Sequence, residues 1–313
     1  MQYRRLGGSG LKVSEISLGS WLTYGGYVEE QNAVGTIKLA VESGINFFDT
    51  ANVYMKGEAE RVVGEALRGN RRDSYVLATK VWGPMGDGPN DRGLSRKHIM
   101  EQCEASLKRL GMEYIDLYYC HSIDPSTPIE ESLRAMDDLV RQGKVLYVGV
   151  SNWTASMMTE AVGIADRKLL DRIVASQPPY SILRRDIEQE IIPVGTKFGI
   201  GQVVYSPLAQ GVLSGKYKPG AEVPKDSRAA SAGQAIQRYL TADNLTRVER
   251  LGEVAGELDL TLSQLALAWV LRQPNVSSAI IGASRPEQIE ENVKASGVVL
   301  PAEALKKIEA ILA

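Results

Sequence analysis

The sequence predicts an α/β fold, a single (β/α)8 TIM barrel with an N-terminal β-hairpin and extra C-terminal helices. Strand and helix signals alternate in eight units over about 280 residues of the 313-residue chain, the length of one such barrel. The strand runs are apolar throughout rather than alternating, as expected of parallel strands buried on both faces. Because no polar or Pro/Gly/Ser-rich linker interrupts the pattern, we expect residues 1–313 to form one domain.

The elements follow in chain order. Residues 3–6 and 11–13 flank GGSG and predict a hairpin that closes one end of the barrel. The strands are predicted in EISLGS, INFFD, YVLATK, YIDLYYC, VLYVGV, IVASQ, GQVVYS and VSSAII. The helices are predicted at residues 29–42, 58–67, 95–110, 129–141, 155–165, 184–197, 245–258 and 286–295, with Ser95 and Pro286 in cap positions. A last helix at 302–313 is expected to pack on the barrel exterior.

One alternative fold and two long loops bear on this prediction. A doubly wound sheet would place a Gly-rich turn after its first strand, but GSWLTYGGY has the wrong spacing for GxGxxG. Residues 83–93 form a flexible loop after YVLATK, and residues 210–241 form a longer polar segment after GQVVYS. Both are expected at the same barrel face, where such loops serve as lids; a disordered insertion is the alternative.

Composition argues against several classes of function. The 36 basic and 38 acidic residues give a net charge of −2, which offers no electrostatic basis for binding nucleic acid or an anionic membrane. The first residues lack the apolar core of a signal peptide, and no apolar run approaches the roughly 18 residues of a membrane span. Cys103 lies in a helical stretch and Cys120 at a strand end, so we expect a reduced cytoplasmic protein rather than a disulfide framework.

Four residues at or near predicted strand ends carry the chemistry. Asp49, Lys80 and His121 each end or follow an apolar run, and Tyr54 lies on the loop after INFFD. Strand ends of a (β/α)8 barrel meet at its C-terminal face, where catalytic groups collect. A tyrosine with a pKa of about 10 becomes a better acid beside a lysine ammonium, and a carboxylate compensates the buried lysine. With an imidazole to hold the oxygen, the set predicts protonation of a carbonyl during hydride transfer.

Each of these residues also has a structural interpretation. Tyr54 alone fits a surface loop, Lys80 an edge charge, Asp49 a helix cap in DTANVY and His121 a hydrogen-bonded structural histidine. Four such residues on successive strand ends favour a catalytic site. The other histidine, His98, begins a charged helix and is expected to be exposed. No cluster of His, Cys and carboxylates has the spacing of a metal site.

Aromatic residues after the strands are expected to wall a substrate pocket, with core or rim packing as the alternative for each. Aromatic walls suit small carbonyl compounds without identifying one. The predicted pocket residues are Trp21, Tyr24, Tyr54, Trp82, His121 and Trp153.

In these contexts the chain resembles the aldo-keto reductase superfamily. The matching segments are GINFFDTANVY, ATK, GLSRKHIMEQCEASLKRLGMEYIDLYYCH, GKVLYVGVSNW, YSPLAQGVLSGKY and IIGASRPEQIEEN. The resemblance extends over essentially the whole chain. GLSRKHI and the GASxxEQxxEN ending are most similar to the branch of potassium-channel β-subunits and their bacterial reductase relatives. The resemblance implies NADPH-dependent reduction of aldehydes and ketones to alcohols, with a small carbonyl compound as substrate.

The resemblance implies a role for each residue of the predicted site. Tyr54 would be the general acid and Lys80 the partner that lowers its pKa. Asp49 would be the counter-ion of Lys80, and His121 would orient the carbonyl. The family binds its nicotinamide dinucleotide at the C-terminal barrel face without a Rossmann fold.

Cofactor-binding positions carry over from the same resemblance. Ser151, Asn152 and Gln177 match residues that hydrogen-bond the nicotinamide carboxamide, and Tyr205 matches the aromatic residue that stacks on its ring. The loop over the pyrophosphate is matched by Ser206, Leu208, Gln210, Gly211, Ser214 and Lys216, with Arg228 further along. The adenosine end is matched by Ser284, Arg285, Gln288, Glu291 and Asn292, for which an ordinary capped helix is the alternative. The set is completed by Ser20, Trp21 and Asp49.

Positions 288 and 121 bear on the choice of cofactor and on whether the protein is an enzyme. Gln288 stands where many members carry an arginine that grips the 2′-phosphate of NADPH; Arg285 and Ser284 can do that work, so NADPH is preferred over NADH. Channel β-subunits have Asn in place of the catalytic histidine, whereas this chain keeps His121, which favours an enzyme over an NADPH-binding regulatory protein. The other alternative is a barrel lyase or aldolase with Lys80 as Schiff-base nucleophile. The branch leads us to expect a homotetramer.

Overall fold

The barrel wall consists of eight strands in the computed structural model of the protein, which describes residues 1–21, 24, 30–218 and 234–313. The strands are β3 Ile16–Gly19, β4 Phe47–Asp49, β5 Val76–Val81, β6 Ile115–Cys120, β7 Val145–Ser151, β8 Ala175–Gln177, β9 Gly201–Tyr205 and β10 Val276–Ile281. All pair in parallel with their neighbours in the chain, and β10 returns to β3. This closed order confirms the predicted (β/α)8 barrel.

The N-terminal hairpin closes one end of the barrel. Its strands, β1 Tyr3–Arg5 and β2 Lys12–Ser14, pair antiparallel as predicted. In the turn between them, Gly8 donates its backbone N–H to the carbonyl of Gly199, just before β9, at 2.7 Å. Leu6 and Val13 are fully buried in an apolar cluster that continues into the barrel. Burial of each such side chain stabilises the fold by about 1.5–3 kcal/mol.

Helices cover the outside of the barrel. In chain order they are α1 Glu30–Glu42, α2 Glu58–Leu67, α3 Arg96–Leu110, α4 Ile129–Arg141, α5 Ala155–Lys168, α6 Ile191–Phe198, α7 Gln234–Gln237, α8 Ala242–Glu257, α9 Leu262–Leu271, α10 Pro286–Asn292 and α11 Ala302–Leu312. Ser95 caps α3 by accepting the backbone N–H of His98, and Pro286 opens α10, as predicted. The last helix, α11, packs on α8 at the exterior.

Two helical predictions were wrong. α6 begins at Ile191 rather than at residue 184, because Pro193 can occupy only the first turn of a helix. The preceding residues form a bridge between Ser181 and Arg184 and a short 3₁₀ turn. α9 was not predicted at all: residues 263–271 are all buried, so the helix lacks the polar face that gives an amphipathic period.

His98 also differs from its prediction. It is only 1% exposed, because the first turn of α3 packs against the 83–93 loop. Burial lowers the pKa of His98, opposed by the backbone of Asn90 and Gly83. The loop itself is irregular but internally bonded, since Met85 donates to the carbonyl of Asp91 at 2.9 Å.

The remaining expectations concern the long segment, the cysteines and membrane spans. Of the predicted 210–241 segment, residues 219–233 lie outside the described residues. Cys103 and Cys120 are buried and free. Among the described residues no single helix is long and apolar enough to cross a membrane; α8 and α9 meet that length and composition only as a pair bent by 89°.

Candidate active site

The ends of three strands bring the four predicted catalytic residues together at the C-terminal face. Asp49 ends β4, Lys80 is the next-to-last residue of β5, and His121 directly follows β6. Tyr54 opens a 3₁₀ turn, Tyr54–Gly57, in the loop after β4. Parallel pairing aligns these ends, with Asp49 opposite Ala78 in the adjacent strand.

Lys80 is the buried centre of the cluster. Its side chain is fully buried, and Nζ forms an ion pair with Oδ1 of Asp49. Nζ also donates to the carbonyl of Thr50 at 2.8 Å and to the Tyr54 hydroxyl at 3.4 Å. Burial lowers the pKa of Lys80, and the Asp49 carboxylate acts in the opposite direction. The ion pair therefore keeps a cation next to the phenol without leaving a charge uncompensated.

Tyr54 and His121 form the outer part of the cluster. The Tyr54 hydroxyl lies 3.4 Å from Nε2 of His121, and the two rings meet edge to face at 75°. Burial and the Lys80 charge lower the pKa of His121 to about 3, so its imidazole is neutral at physiological pH. A carbonyl oxygen placed beside this pair would meet two neutral hydrogen-bonding groups.

The pKa of Tyr54 differs from the expectation drawn from the sequence. Burial raises it, and the charges of Asp49 and Tyr205 raise it further. The net lowering expected from Lys80 is not found, because Asp49 balances much of the lysine charge and burial outweighs what remains. The phenol is consequently protonated at neutral pH, which is the form that a proton donor requires.

Neutral polar residues face this cluster from the later strands. Gln177, at the end of β8, donates from Nε2 to Oδ2 of Asp49 at 2.8 Å. Ser151 donates to the backbone carbonyl of Gln177 at 2.9 Å. Asn152 accepts from the Tyr205 hydroxyl at 2.9 Å and donates to the His121 carbonyl at 3.3 Å. All four residues predicted around a nicotinamide thus belong to one hydrogen-bonded network.

The loops at this face hold several residues in the left-handed backbone region. Among the described residues eight other than glycine have positive φ, and six of them follow β4, β7 or β9. Such conformations cost free energy in L-residues and concentrate at functional sites. These six residues are Met55, Lys56, Asn152, Ser206, Ala209 and Gln210.

The loop after β9 carries the residues predicted near the pyrophosphate. It forms a 3₁₀ segment, Ala209–Ser214, in which Gly211 donates its backbone N–H to the Leu208 carbonyl at 2.8 Å. The Ser214 hydroxyl donates to the Gly211 carbonyl at 2.7 Å. The Gln210 amide donates to the Ser206 hydroxyl. Gly211 has φ +96°, and a Cβ built there would lie 3.8 Å from Nζ of Lys216. Arg228 lies outside the described residues.

The α10 segment shows the capped helix that was the alternative for it. Oε1 of Gln288 accepts the backbone N–H groups of Ser284 at 2.8 Å and Arg285 at 3.3 Å. Glu291 accepts from Thr261, the cap of α9, and Asn292 is buried. The assignment of this segment to the adenosine end stays a prediction.

The predicted pocket walls divide into two groups. Trp21 and Trp82 are 39% and 38% exposed, whereas Tyr24 and Trp153 are 1% and 2% exposed and pack in the apolar core. Core packing, the alternative, is therefore what the structure has for Tyr24 and Trp153. Met55 is 49% exposed next to Tyr54 and was missed by the sequence reasoning. Its position directly after the candidate acid was the one available signal.

Ser20, the remaining predicted cofactor residue, lies behind the cluster. Ser20 is buried, and its hydroxyl donates to Thr50 at 2.8 Å behind the Asp49 strand end. In the described part of the chain no group of three or more His, Cys, Asp and Glu side chains is arranged to hold a metal ion.

The residues present suit a nicotinamide dinucleotide. Hydroxyl and amide groups match a carboxamide, and Tyr205 offers a half-buried aromatic ring beside them. Gly211, with φ +96°, lies close to the Lys216 ammonium, and a cation beside a glycine turn suits a phosphate. The donor set is thus consistent with the predicted order of nicotinamide and pyrophosphate along the barrel mouth.

Fold and site together define the class of protein. The sequence model described as "Aldo/keto reductase family" matches residues 15–313, and the chain belongs to that family. The family is one of oxidoreductases that generally use NAD(P)H.

Particular relatives fall in the branch that the sequence predicted. A "Probable voltage-gated potassium channel subunit beta" of Arabidopsis thaliana is 48% identical over 320 residues, covering 100% of this chain and 97% of the relative. One of the same description from Oryza sativa subsp. japonica is 45% identical, with the same coverage. A "Putative voltage-gated potassium channel subunit beta" of Schizosaccharomyces pombe is 46% identical over 323 residues, covering 99% and 93%.

Proposed function

We propose that the protein is an NADPH-dependent reductase that converts aldehydes and ketones to alcohols. The observation that carries this proposal is the contact of a protonated phenol, Tyr54, with both the Lys80 ammonium and the His121 imidazole at 3.4 Å. Membership of the family supports the general chemistry. The carbonyl substrate and the preference for NADPH go beyond what family membership supports, and we infer them from the site.

The chain's residues would act on the carbonyl oxygen. That oxygen accepts hydrogen bonds from the Tyr54 hydroxyl and from the neutral imidazole of His121. A bound reduced nicotinamide supplies hydride to the carbonyl carbon. As negative charge develops on the oxygen, Tyr54 transfers its proton, because an alkoxide is a far stronger base than a phenolate. Lys80, 3.4 Å away, stabilises the phenolate that remains.

The later strands would hold the cofactor. Gln177, Asn152 and Ser151 present amide and hydroxyl groups to its carboxamide, and Tyr205 presents its ring. The loop from Ser206 to Lys216 would cover the pyrophosphate. Arg285 and Ser284 supply a cation and a hydroxyl for a 2′-phosphate, which is why we favour NADPH over NADH.

Exposed apolar side chains indicate the class of substrate. Trp21, Met55 and Trp82 follow β3, β4 and β5, three strands adjacent in the barrel, and each is more than a third exposed. Tyr54 lies in the same sector. We therefore expect small carbonyl compounds with an apolar alkyl or aromatic group to react faster than polar ones of equal size.

The regulatory alternative rests on the relatives, which are described as channel β-subunits. His121 favours turnover, because Asn in its place would remove the imidazole from the carbonyl site. The Schiff-base alternative has less support, since Lys80 is fully buried and its ammonium is bonded to Asp49 and Thr50. The two free cysteines are consistent with the reducing conditions of the cytoplasm, where we expect the protein to act. A homotetramer stays a prediction from the resemblance.

The test is oxidation of NADPH, followed by the absorbance of reduced nicotinamide, against a panel of apolar and polar aldehydes. NADH is run in parallel, and Tyr54→Phe serves as the matched control. We expect turnover with NADPH, weaker turnover with NADH and none above background in the variant. Tight NADPH binding without oxidation across the panel would instead favour the regulatory function.

A further inference from the structure

The side chain of Gln177 crosses the barrel. Gln177 ends β8 and Asp49 ends β4, and the closed strand order places β4 and β8 on opposite sides. Nε2 of Gln177 nevertheless donates to Oδ2 of Asp49 at 2.8 Å. The other carboxylate oxygen, Oδ1, is bonded to Lys80. A direct side-chain hydrogen bond therefore joins a cofactor-facing strand to the Asp49–Lys80 pair.

The orientation of this amide follows from chemistry. An ionised carboxylate has no proton to donate, so the amide atom that faces Asp49 must be the nitrogen. Oε1 of Gln177 is then the atom of that amide left to accept an N–H from outside. Asp49 is 3% exposed and Gln177 is 3% exposed, so solvent offers little competition for the bond.

A buried tyrosine, Tyr119, lies close to the bond between Gln177 and Asp49. Tyr119 stands opposite Lys80 in β6 and is fully buried. Burial raises the pKa of Tyr119, the Asp49 carboxylate raises it further, and the Gln177 amide lowers it. Its ring rests on Gly149, where an added Cβ would lie 2.6 Å from the ring carbon Cε1. A ring packed this closely against the backbone is held in place beside Asp49 and Gln177.

We propose that Gln177 is a positioning residue that couples the cofactor site to the Asp49–Lys80 pair. Asp49 fixes the amide and the amide presents its oxygen to the carboxamide of the cofactor, so the bond between Gln177 and Asp49 and the affinity for the cofactor are linked. This inference rests on the proposed function for the identity of the bound dinucleotide. Its structural part, the link between Gln177 and Asp49, does not depend on turnover.

The decisive variant is Gln177→Glu, which sets a second carboxyl against Asp49. Two carboxylates in contact share one proton at low pH and repel each other once both are ionised. At about pH 6 we expect the Kd for NADPH to lie within roughly threefold of wild type, and at about pH 9 to be at least tenfold weaker. The ratio of variant to wild type is taken at each pH, so titration of the cofactor cancels.

Two further measurements keep the test independent of catalysis and of folding failure. In the cofactor-free protein the melting temperature of Gln177→Glu, relative to wild type, should fall as pH rises, because the folded state holds the shared proton more tightly than the unfolded chain. The double variant Gln177→Glu/Asp49→Asn exchanges amide and carboxylate, and should abolish both pH dependences. The coupling would be overturned if neither the ratio of the two Kd values nor the difference between the two melting temperatures changed with pH. This holds even if NADPH-dependent reduction is found. A pH-dependent melting temperature without reduction would support the coupling and reject the proposed function.

Discussion

The two sides of the barrel mouth solve different physical problems. The side after β4–β6, the proton-transfer side, holds opposite charges and titratable groups on or beside strand ends. The side after β7–β9, the cofactor-facing side, holds neutral polar groups, several of them on left-handed backbone. The proton-transfer side comprises Asp49, Tyr54, Lys80 and His121; the cofactor-facing side comprises Ser151, Asn152, Gln177, Tyr205 and Ser206.

One barrel therefore places its buried charges on one side of the mouth and its sharply turning, neutral loops on the other. Lys80 and Asp49 are kept dry and paired, so the proton donor beside them stays in one protonation state. The cofactor-facing side needs no charge balance, but it needs loops that turn sharply. Hydrogen bonds from Gln177 to Asp49 and from Asn152 to the His121 carbonyl are among those that connect the sides.

Removing one partner of the buried ion pair should break the proton-transfer side most severely. Asp49→Leu leaves the Lys80 ammonium buried without its counter-ion, and we expect a loss of about 3–5 kcal/mol in the free energy of unfolding. Asp49→Leu/Lys80→Met should recover much of this loss. Unfolding in guanidinium chloride without cofactor measures both.

An exposed ion pair provides the control for this prediction. Arg61 and Glu58 form a pair whose side chains are 43% and 45% exposed. Glu58→Ala should change the free energy of unfolding far less than Asp49→Leu, since water screens the exposed pair. Equal effects of the two substitutions would mean that burial of the Asp49–Lys80 pair is not what sets its energy.

The stability of the protein should fall at low pH because of His121, on the same side of the barrel mouth. Its folded pKa of about 3 lies below the unfolded value of about 6.5, so the unfolded chain binds more protons in that interval and stability falls as pH falls. At pH 5 the loss relative to neutral pH is about 2 kcal/mol, from 1.5 pH units at 1.36 kcal/mol each. His121→Asn should lack this loss, whereas the contribution of His98 remains in both proteins. Parallel curves of stability against pH would contradict a buried neutral His121.

The smallest expected effect tests the cofactor-facing side. Ser206 has φ +55°, a conformation that glycine adopts freely. Ser206→Gly and Ser206→Ala both remove the hydroxyl, but only glycine relieves the backbone strain, so we expect the glycine variant to be more stable by about 1 kcal/mol or less. Thermal unfolding of the two variants decides it. An alanine variant of equal or greater stability would show that the left-handed turn carries no strain.

The strands and the four catalytic candidates could be predicted because both follow from local pattern. Apolar runs mark strands buried on both faces, and parallel strand ends must meet, so Asp49, Lys80 and His121 converge without knowledge of any contact. The start of α6 is set by Pro193, and the burial of His98 depends on the loop that packs against α3. Neither is visible in a period of hydrophobic residues.

The connection between the two sides was also beyond the sequence. Gln177 and Asp49 are 128 positions apart and lie on opposite strands of the barrel. Their bond exists because the closed barrel is narrow enough for one glutamine to span. The raised pKa of Tyr54 has the same origin, since it depends on burial after closure rather than on the nearest charged residue.

The central claim is that the proton-transfer side performs the chemistry while the other side holds the cofactor. Single-turnover oxidation of bound NADPH by an apolar aldehyde, measured with the Kd for NADPH in wild type and Tyr54→Phe, tests it most directly. We predict that the variant lowers the rate constant about 10²- to 10⁴-fold and leaves the Kd within about twofold. An unchanged rate constant, or a Kd that weakens in parallel with it, would contradict the division.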